Sequence, residues 1–185
     1  KVLEQFNLDG KVAIVTGSAK GLGQGMAVGL AEAGADVACV DILEMDETVE
    51  KINEVGQDAI QIQCDLSSKD PIDEIIEKTD QELGRIDILI NNAGIIRRDP
   101  VTEFSEEDWD DVMNINIRTL FFLSQSVSNY MIDQGDGGNI INIASMLSFE
   151  GGIKVPSYTA SKSAVNGLTK EMANELGEYD INVNA

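Results

Sequence analysis

Short runs of apolar and β-branched residues alternate with longer amphipathic stretches from one end of the chain to the other. Strands that alternate with helical segments in this way are typical of βα units around a parallel sheet. Because crossovers between parallel strands are right-handed, the pattern predicts an open, doubly wound α/β sheet with helices on both faces, in three layers. The six predicted strands span 12–15, 36–40, 59–64, 86–90, 139–143 and 181–183.

Residues typical of helix ends mark the intervening helices. Asp70, which precedes a proline, favours a helix start with aspartate as the N-cap. Ser105 with Asp108 resembles a capping box, and Gly177 is a natural residue to end a helix. The two longest helices are predicted over 105–131 and 157–176.

Composition narrows the class of protein. A chain of 185 residues that is 43% hydrophobic can bury one core and is expected to form a single domain. No run approaches the roughly 20 apolar residues that span a bilayer, and the first residues lack a secretory pattern, so we expect the cytoplasm. A net charge of -20 argues against nucleic acid or an anionic membrane as a partner. An anionic ligand would need local basic groups or backbone N–H donors.

Cysteine and histidine usage bears on metal binding. Cys39 and Cys64 each lie inside an apolar run, so we expect two buried free thiols rather than a disulfide or a metal site. The chain contains no histidine, and a conventional zinc site is therefore not expected.

The first predicted strand leads directly into the glycine-rich turn TGSAKGLG, residues 16–23, and then into a helical pattern. Glycines there permit a tight turn and let a pyrophosphate approach the N-terminus of the next helix, although such a turn can also form without a ligand. Asp41 follows the second strand, where a carboxylate can bind an adenosine ribose and repel a 2′-phosphate. Lys20 could instead attract that phosphate, so the sequence favours NAD and leaves NADP open.

Tyr158 and Lys162 are spaced i, i+4 and therefore share one face of a predicted helix. A phenol in water ionises near pH 10, so a phenolate that serves as a base near pH 7 must be stabilised by roughly 4 kcal/mol. A neighbouring ammonium and an oxidised nicotinamide could supply much of this. Ser145, just beyond the fifth strand, can reach the same crevice.

These motifs together resemble the signature of the short-chain dehydrogenase/reductase family. The resemblance rests on the glycine turn, the run Asn91-Asn92-Ala93-Gly94, and Ser145 thirteen positions before Tyr158. It covers essentially the whole chain and implies a single Rossmann-type NAD(P)-binding domain over 1–185. Family members continue beyond a sixth strand, so we expect this chain to be truncated there, without the segment that covers the substrate. The resemblance also implies a homo-oligomer, commonly a tetramer.

The resemblance implies a role for each residue of the reaction site. Tyr158 would be the general acid/base, and Lys162 would stabilise the phenolate and hold the nicotinamide ribose. Ser145 would hydrogen-bond the reacting oxygen, and Asn116 would hold a water in a proton relay. These four make a non-catalytic dinucleotide-binding module the less favoured alternative.

Cofactor contacts are implied in the same way. Asp65 would contact the adenine, Asn91 would line the cofactor crevice, and Asn92 would stabilise the central strand. Gly94 would allow close approach of the cofactor. The full set of expected contacts is Gly17, Ser18, Lys20, Gly21, Leu22, Gly23, Asp41, Asp65, Leu66, Asn91, Ala93, Gly94, Tyr158 and Lys162.

A narrower resemblance concerns the substrate. Residues 96–98, 104–116 and 140–166 are similar to bacterial 2-dehydro-3-deoxy-D-gluconate 5-dehydrogenases, also described as 2-deoxy-D-gluconate 3-dehydrogenases. This implies a keto-deoxy sugar acid from pectin and uronate breakdown, typically with NAD. A short-chain dehydrogenase for a 3-ketoacyl, polyol or steroid substrate is the alternative.

A sugar-acid substrate requires a partner for its carboxylate. Arginine offers a planar bidentate match to a carboxylate. Three basic residues follow predicted strands, where the crevice should open, and we expect one or more to bind the substrate; the opposing interpretation is that the arginines face solvent or pair with acids such as Asp99 and Glu103. The three are Arg97, Arg98 and Lys154.

Overall fold

The computed structural model describes residues 2–185, which form one six-stranded parallel sheet with the strand order β3-β2-β1-β4-β5-β6. Every pairing between neighbouring strands is parallel, and the predicted doubly wound α/β fold is confirmed. The order reverses between β1 and β4, the place where such sheets open a crevice at their carboxyl ends. The strands are β1 (Val12–Thr16), β2 (Asp36–Asp41), β3 (Ala59–Gln63), β4 (Ile88–Asn91), β5 (Gly138–Asn142) and β6 (Ile181–Asn184).

Helices connect the strands on both faces of the sheet. The predicted helix over 105–131 is divided in the structure, because a π-helical segment, Asn114–Thr119, separates α4 from α5. The α-helices are α1 (Gly21–Glu32), α2 (Asp46–Glu54), α3 (Ile72–Leu83), α4 (Glu106–Met113), α5 (Leu120–Gln134) and α6 (Pro156–Leu176), and short 3-10 turns span Leu3–Phe6, Met146–Ser148 and Gly177–Tyr179. In residues 2–185 no helix combines the length and the apolar character that a membrane span requires.

The helix ends follow the sequence signals only in part. Ser105 caps α4 as predicted, since its side chain accepts a hydrogen bond from the backbone N–H of Asp108 at 3.1 Å. The predicted N-cap at Asp70 is wrong, because α3 begins at Ile72 and the Asp70 carboxylate instead accepts from Ser68 Oγ at 3.0 Å. Helix α6 does end before Gly177, but that glycine keeps a right-handed φ of -59°, and the left-handed residue before β6 is Asp180.

Two apolar layers cover the sheet, because successive residues of each strand point to opposite faces. One face, which includes Ile14 and Leu89, packs against α3, α5 and α6, while the other, which includes Val15 and Cys39, packs against α1 and α2. Both cysteines are free; Cys39 is buried as expected, whereas Cys64 is only half-buried. Burial raises the pKa of Cys39 to about 12, so this thiol stays protonated and inert at neutral pH.

A network of charged side chains lies at the amino-terminal end of β4, at the end of the sheet opposite the crevice. The buried Asp87 carboxylate accepts hydrogen bonds from Arg85 at 2.6 and 2.7 Å, from Lys11 Nζ at 3.0 Å and from the backbone N–H of Val12 at 3.0 Å. Burial alone would raise the pKa of Asp87, but the hydrogen bonds outweigh it and lower the pKa. This network joins β1 to β4 and stabilises the centre of the sheet.

Candidate active site

A cleft of about 540 Å³ opens at the carboxyl ends of the strands, where the strand order reverses. Most of the cofactor contacts expected from the sequence lie around it. Apolar side chains that sequence reasoning missed complete its wall, among them Ile42, Ile95 and Ile115. The expected residues that line the cleft are Gly17, Lys20, Leu22, Gly23, Asp41, Asp65, Leu66, Ala93 and Gly94.

The glycine turn has a shape that only glycine can adopt at two positions. Gly17 has a φ of +69°, and a Cβ atom there would lie 2.7 Å from Asn92 Nδ2. A Cβ atom on Gly23 would lie 1.9 Å from the carbonyl oxygen of Gly17. The turn therefore closes tightly against the first turn of α1, as a pyrophosphate site at a helix N-terminus requires.

Of the two neighbouring asparagines, Asn91 departs from its expected position, whereas Asn92 stabilises the end of the central strand β1 as expected and also borders the cleft. Asn91 is buried beneath the cleft, where its side-chain amide donates to Ser124 Oγ at 2.8 Å and to Asn142 Oδ1 at 2.9 Å. Asn92 lines the cleft, and its amide donates to the carbonyl oxygens of Thr16 at 2.9 Å and Gly17 at 3.1 Å. The expectation that the Asn91 side chain lines the crevice is thus wrong, because a strand alternates its side chains and Asn91, the last residue of β4, points inward.

Ser18 and Gly21 also differ from the expected cleft contacts. The Ser18 side chain is buried and donates to the carbonyl oxygen of Val40 at 3.3 Å, so it faces away from the cleft. Gly21 begins α1 with a φ of +60° and shapes the turn without lining the cleft wall. Ser18 and Gly21 thus shape the glycine turn, and the cleft wall is formed by the neighbouring residues.

Asp41 and Lys20 both reach the cleft. One Asp41 carboxylate oxygen accepts from the backbone N–H of Ala19 at 2.9 Å, and the other accepts from that of Leu43 at 3.0 Å. The carboxylate is therefore fixed at the cleft wall, while Lys20 remains exposed on the glycine turn. Asp41, which would repel a 2′-phosphate, and Lys20, which would attract it, thus line the same cleft.

Helix α6 brings Tyr158 and Lys162 together. The Lys162 ammonium lies 5.7 Å from the centroid of the Tyr158 ring and donates to the carbonyl oxygen of Ile143 at 2.5 Å. Only 4% of Lys162 is exposed, and this burial lowers its pKa to about 8. A cation held beneath a phenol in this way stabilises negative charge on the phenol oxygen.

Ser145 lies in the loop that follows β5. Its hydroxyl oxygen accepts a hydrogen bond from the backbone N–H of Leu147 at 3.2 Å, which leaves the hydroxyl hydrogen to be donated elsewhere. Its own backbone N–H donates to Ser148 Oγ at 3.2 Å, and Ser148 Oγ donates to the carbonyl oxygen of Lys162 at 2.7 Å. The loop that carries Ser145 is thereby attached to α6.

Asn116 is fully buried in the π-helical segment and links the cleft to α6. Its Oδ1 accepts from the backbone N–H of Ile95 at 2.8 Å, and its Nδ2 donates to the carbonyl oxygen of Ile95 at 2.9 Å and to Ser161 Oγ at 3.2 Å. Both amide hydrogens are therefore used. A relay water would have to use the remaining lone pair or the backbone carbonyl, and that role stays a prediction. Nothing in the sequence indicated Ser161.

The three basic residues considered for the substrate are not equivalent. Arg97 forms ion pairs with Asp108 at 3.2 Å and Asp111 at 3.0 Å, so it fastens its loop to α4. These acids, and not the nearby Asp99 or Glu103, are its partners. The loops of the other two meet, because the backbone N–H of Asp99 donates to the carbonyl oxygen of Lys154 at 3.0 Å. Arg98 and Lys154 are both exposed there.

A glycine turn at the strand-order reversal and a tyrosine above a buried lysine are the two features that the sequence predicted for a dinucleotide-dependent oxidoreductase site. The family model for short chain dehydrogenases matches residues 11–185. The chain belongs to the short-chain dehydrogenase family and is an oxidoreductase, as its motifs predicted.

Individual relatives agree with this membership. A 2-dehydro-3-deoxy-D-gluconate 5-dehydrogenase from Dickeya dadantii is 58% identical over 184 residues, which cover 100% of this chain and 73% of that protein. A crystal structure of a candidate 2-deoxy-D-gluconate 3-dehydrogenase from Agrobacterium tumefaciens with bound NADP is 47% identical, with a TM-score of 0.87 over 97% of this chain and 71% of that one. A short chain dehydrogenase from Mycobacterium paratuberculosis bound to NAD is 32% identical, with a TM-score of 0.92 over 96% and 71%.

Proposed function

We propose that this protein interconverts a secondary alcohol and a ketone on a deoxy sugar acid of the 2-dehydro-3-deoxy-D-gluconate type, with NAD as cofactor and Tyr158 as the general acid/base. The observation that carries the proposal is the position of the buried Lys162 ammonium, 5.7 Å from the Tyr158 ring and hydrogen-bonded to the strand end that leads to Ser145. A general acid/base of this kind contributes about 10²- to 10⁴-fold to a rate.

The cleft fits a dinucleotide. Its volume of about 540 Å³ is in the range of cofactor sites, and the absence of side chains at Gly17 and Gly23 lets the turn pack closely against Asn92 at the cleft wall. The pyrophosphate would lie at the N-terminus of α1, with the adenosine ribose at Asp41 and the adenine beside Asp65. When bound, the nicotinamide supplies the hydride acceptor or donor.

The residues of α6 and the β5 loop would handle the proton. During oxidation Tyr158 takes the hydroxyl proton of the substrate, and during reduction it returns that proton. Lys162 lowers the free energy of the phenolate, since it holds a positive charge in a buried position. Ser145 donates its hydroxyl hydrogen to the reacting oxygen, which its bond from Leu147 leaves available. Asn116 positions Ile95 and α6 around the reacting centre.

The substrate class rests on two arguments. Relatives with 55–58% identity bear the name 2-dehydro-3-deoxy-D-gluconate 5-dehydrogenase. In addition, a chain with a net charge of -20 presents Arg98 and Lys154 on two loops that touch each other, and this local positive charge supports a role for them in binding a substrate carboxylate. Arg97 is left out of this role because two carboxylates already occupy it.

NAD is proposed over NADP because the Asp41 carboxylate is fixed at the cleft wall by two backbone N–H groups and would repel a 2′-phosphate. Related structures hold either cofactor: NADP in the Agrobacterium protein and NAD in the Mycobacterium one. The choice therefore depends on the balance between Asp41 and Lys20.

The test is an absorbance assay of nicotinamide reduction and oxidation with a panel of sugar acids, polyols, steroids and 3-ketoacyl thioesters. We expect turnover of deoxy sugar acids, and a loss of at least about 10²-fold in kcat for Tyr158→Phe with dinucleotide affinity retained. Tyr179→Phe is the matched control, since Tyr179 is 43% exposed and follows α6 outside the site. Turnover of another substrate class alone would refute the sugar-acid assignment, and dinucleotide binding without any turnover would indicate a binding module.

A further inference from the structure

The hydroxyl of Ser148 lies between the two halves of the proposed reaction site. It accepts a hydrogen bond from the backbone N–H of Ser145 at 3.2 Å and donates one to the carbonyl oxygen of Lys162 at 2.7 Å. A hydroxyl has one hydrogen and two lone pairs, so both bonds can form together. One side chain thus joins the backbone of Ser145 to the backbone of the helix that carries Tyr158.

The loop that carries Ser145 is held against α6 by a small number of side-chain hydrogen bonds. Met146–Ser148 is a single 3-10 turn of three residues, and such short turns have poor hydrogen-bond geometry of their own. Two side chains of the segment pack little, because 75% of Met146 and 76% of Phe149 is exposed, while Leu147 is half-buried. The segment 143–148 is fastened to α6 at its start by Lys162 Nζ on the Ile143 carbonyl oxygen, and at its end by Ser148.

We infer that Ser148 is a positioning residue that sets the distance between the Ser145 hydroxyl and the phenol of Tyr158 through its bond to the Lys162 carbonyl. The inference rests on the proposed function, since it assigns Ser148 a role in the same reaction. Ser148 does not touch the reacting atoms; it acts through Ser145. Reactions that depend on aligned groups lose rate steeply when a group shifts by about 1 Å.

The test compares Ser148→Ala, Ser148→Thr and Ser163→Ala in the complete protein. Ser148→Ala removes both bonds and should lower kcat about tenfold, with the KM for dinucleotide changed by less than twofold. Ser148→Thr keeps a hydroxyl and should restore most of kcat. Ser163→Ala is the matched control. Ser163 is exposed on α6, and its hydroxyl lies 3.5 Å from the Leu147 carbonyl oxygen, at the limit of a hydrogen bond.

A double variant identifies the route of the effect. In a Ser145→Ala background, Ser148→Ala should reduce kcat by less than twofold, because the residue through which it acts is already gone. A full tenfold loss in that background would overturn the inference, as would an unchanged kcat for Ser148→Ala in a wild-type enzyme that turns over its substrate. An inactive wild type would instead contradict the proposed function.

A second readout needs no substrate. Amide hydrogen exchange in residues 145–149 should become at least about fivefold faster in Ser148→Ala, whereas exchange in the strands should stay unchanged. Equal protection in both proteins would overturn the inference. If Ser148→Ala does not fold, Ser148→Cys keeps the side-chain size with a weak donor and takes its place in both measurements.

Discussion

The Nζ atom of Lys162 lies 2.5 Å from the carbonyl oxygen of Ile143 and is almost completely shielded from water. Burial disfavours the charged form of an amine and lowers the pKa of Lys162 from 10.5 to about 8. The protein therefore holds a cation at a position where holding it costs free energy. The phenol ring of Tyr158 lies over this cation, and the proposed acid/base role of Tyr158 would explain why the cation is kept there.

This lowered pKa predicts a pH dependence of stability. Between about pH 8 and 10.5 the unfolded chain binds more protons at Lys162 than the folded one, so the free energy of unfolding rises with pH. Relative to Lys162→Met, the wild type should gain about 2 kcal/mol between pH 7 and 9.5. Urea unfolding of both proteins at several pH values measures the difference. A constant difference across this range would mean that Lys162 is not the titrating group.

The glycine turn allows a paired substitution. Gly23→Ala places a Cβ atom 1.9 Å from the Gly17 carbonyl oxygen, whereas Gly25→Ala meets nothing within 4 Å. We expect Gly23→Ala to weaken dinucleotide binding by at least about tenfold, because the turn must open. Gly25→Ala should bind normally and gain roughly 0.5–1 kcal/mol of stability from helix propensity. Calorimetric titration with NAD measures both; equal affinities would place the dinucleotide away from this turn.

Cofactor choice should respond to Asp41. Asp41→Asn removes the negative charge while keeping an acceptor for the backbone, so the NADP to NAD ratio of kcat/KM should rise by about tenfold or more, equivalent to about 1.4 kcal/mol. Asp65→Asn serves as the control, since Asp65 also lines the cleft and its carboxylate accepts from the backbone N–H of Ser67 at 2.8 Å. Lys20→Ala should lower the ratio. A ratio that does not move in Asp41→Asn would exclude Asp41 as the discriminating group.

The hydrogen-bonded network around Asp87 predicts that a substitution there causes a large loss of stability. Asp87→Asn replaces a carboxylate that is 5% exposed with a neutral amide and leaves Arg85 and Lys11 without their charged partner, so we expect a loss of about 2–3 kcal/mol in urea unfolding. Asp136→Asn is the control, because Asp136 is 58% exposed and should lose less than about 0.5 kcal/mol. Since the pKa of Asp87 is lowered, its contribution should be present above pH 3.8 and be lost as the pH falls below it. Equal losses in the two variants would contradict the stabilising role of the Asp87 network.

The proposed contact of Arg98 and Lys154 with a substrate carboxylate can be tested with Arg97 as the comparison. Arg98→Gln and Lys154→Gln should each raise the KM for a deoxy sugar acid by about fivefold or more and leave the KM for NAD unchanged. Arg97→Gln breaks the ion pairs to Asp108 and Asp111 and should act on the loop, which predicts a smaller change in this KM. A KM for sugar acid that is unaffected in the Arg98 and Lys154 variants would refute the proposed carboxylate contact.

Contacts across the crevice could be predicted from the sequence where residue spacing along the chain determines them. Four-residue spacing placed Tyr158 and Lys162 on one helix face, and parallel strands gathered the glycine turn and Asp41 at one edge. The capping of α4 by Ser105 was also readable, because a cap depends on residues three apart.

Sequence by itself thus determined the fold, the family and the positions of most cleft residues, since hydrophobic periodicity and glycine geometry are local properties. Tertiary structure alone decided the partners: Arg97 with α4, Asn91 facing inward while Asn92 reaches the cleft, and Ser148 between Ser145 and Lys162. Those contacts join segments that are distant along the chain, and the direction of a side chain there follows from packing. The Lys162 pKa belongs to the same group, because burial exists only once β5 and α6 have come together.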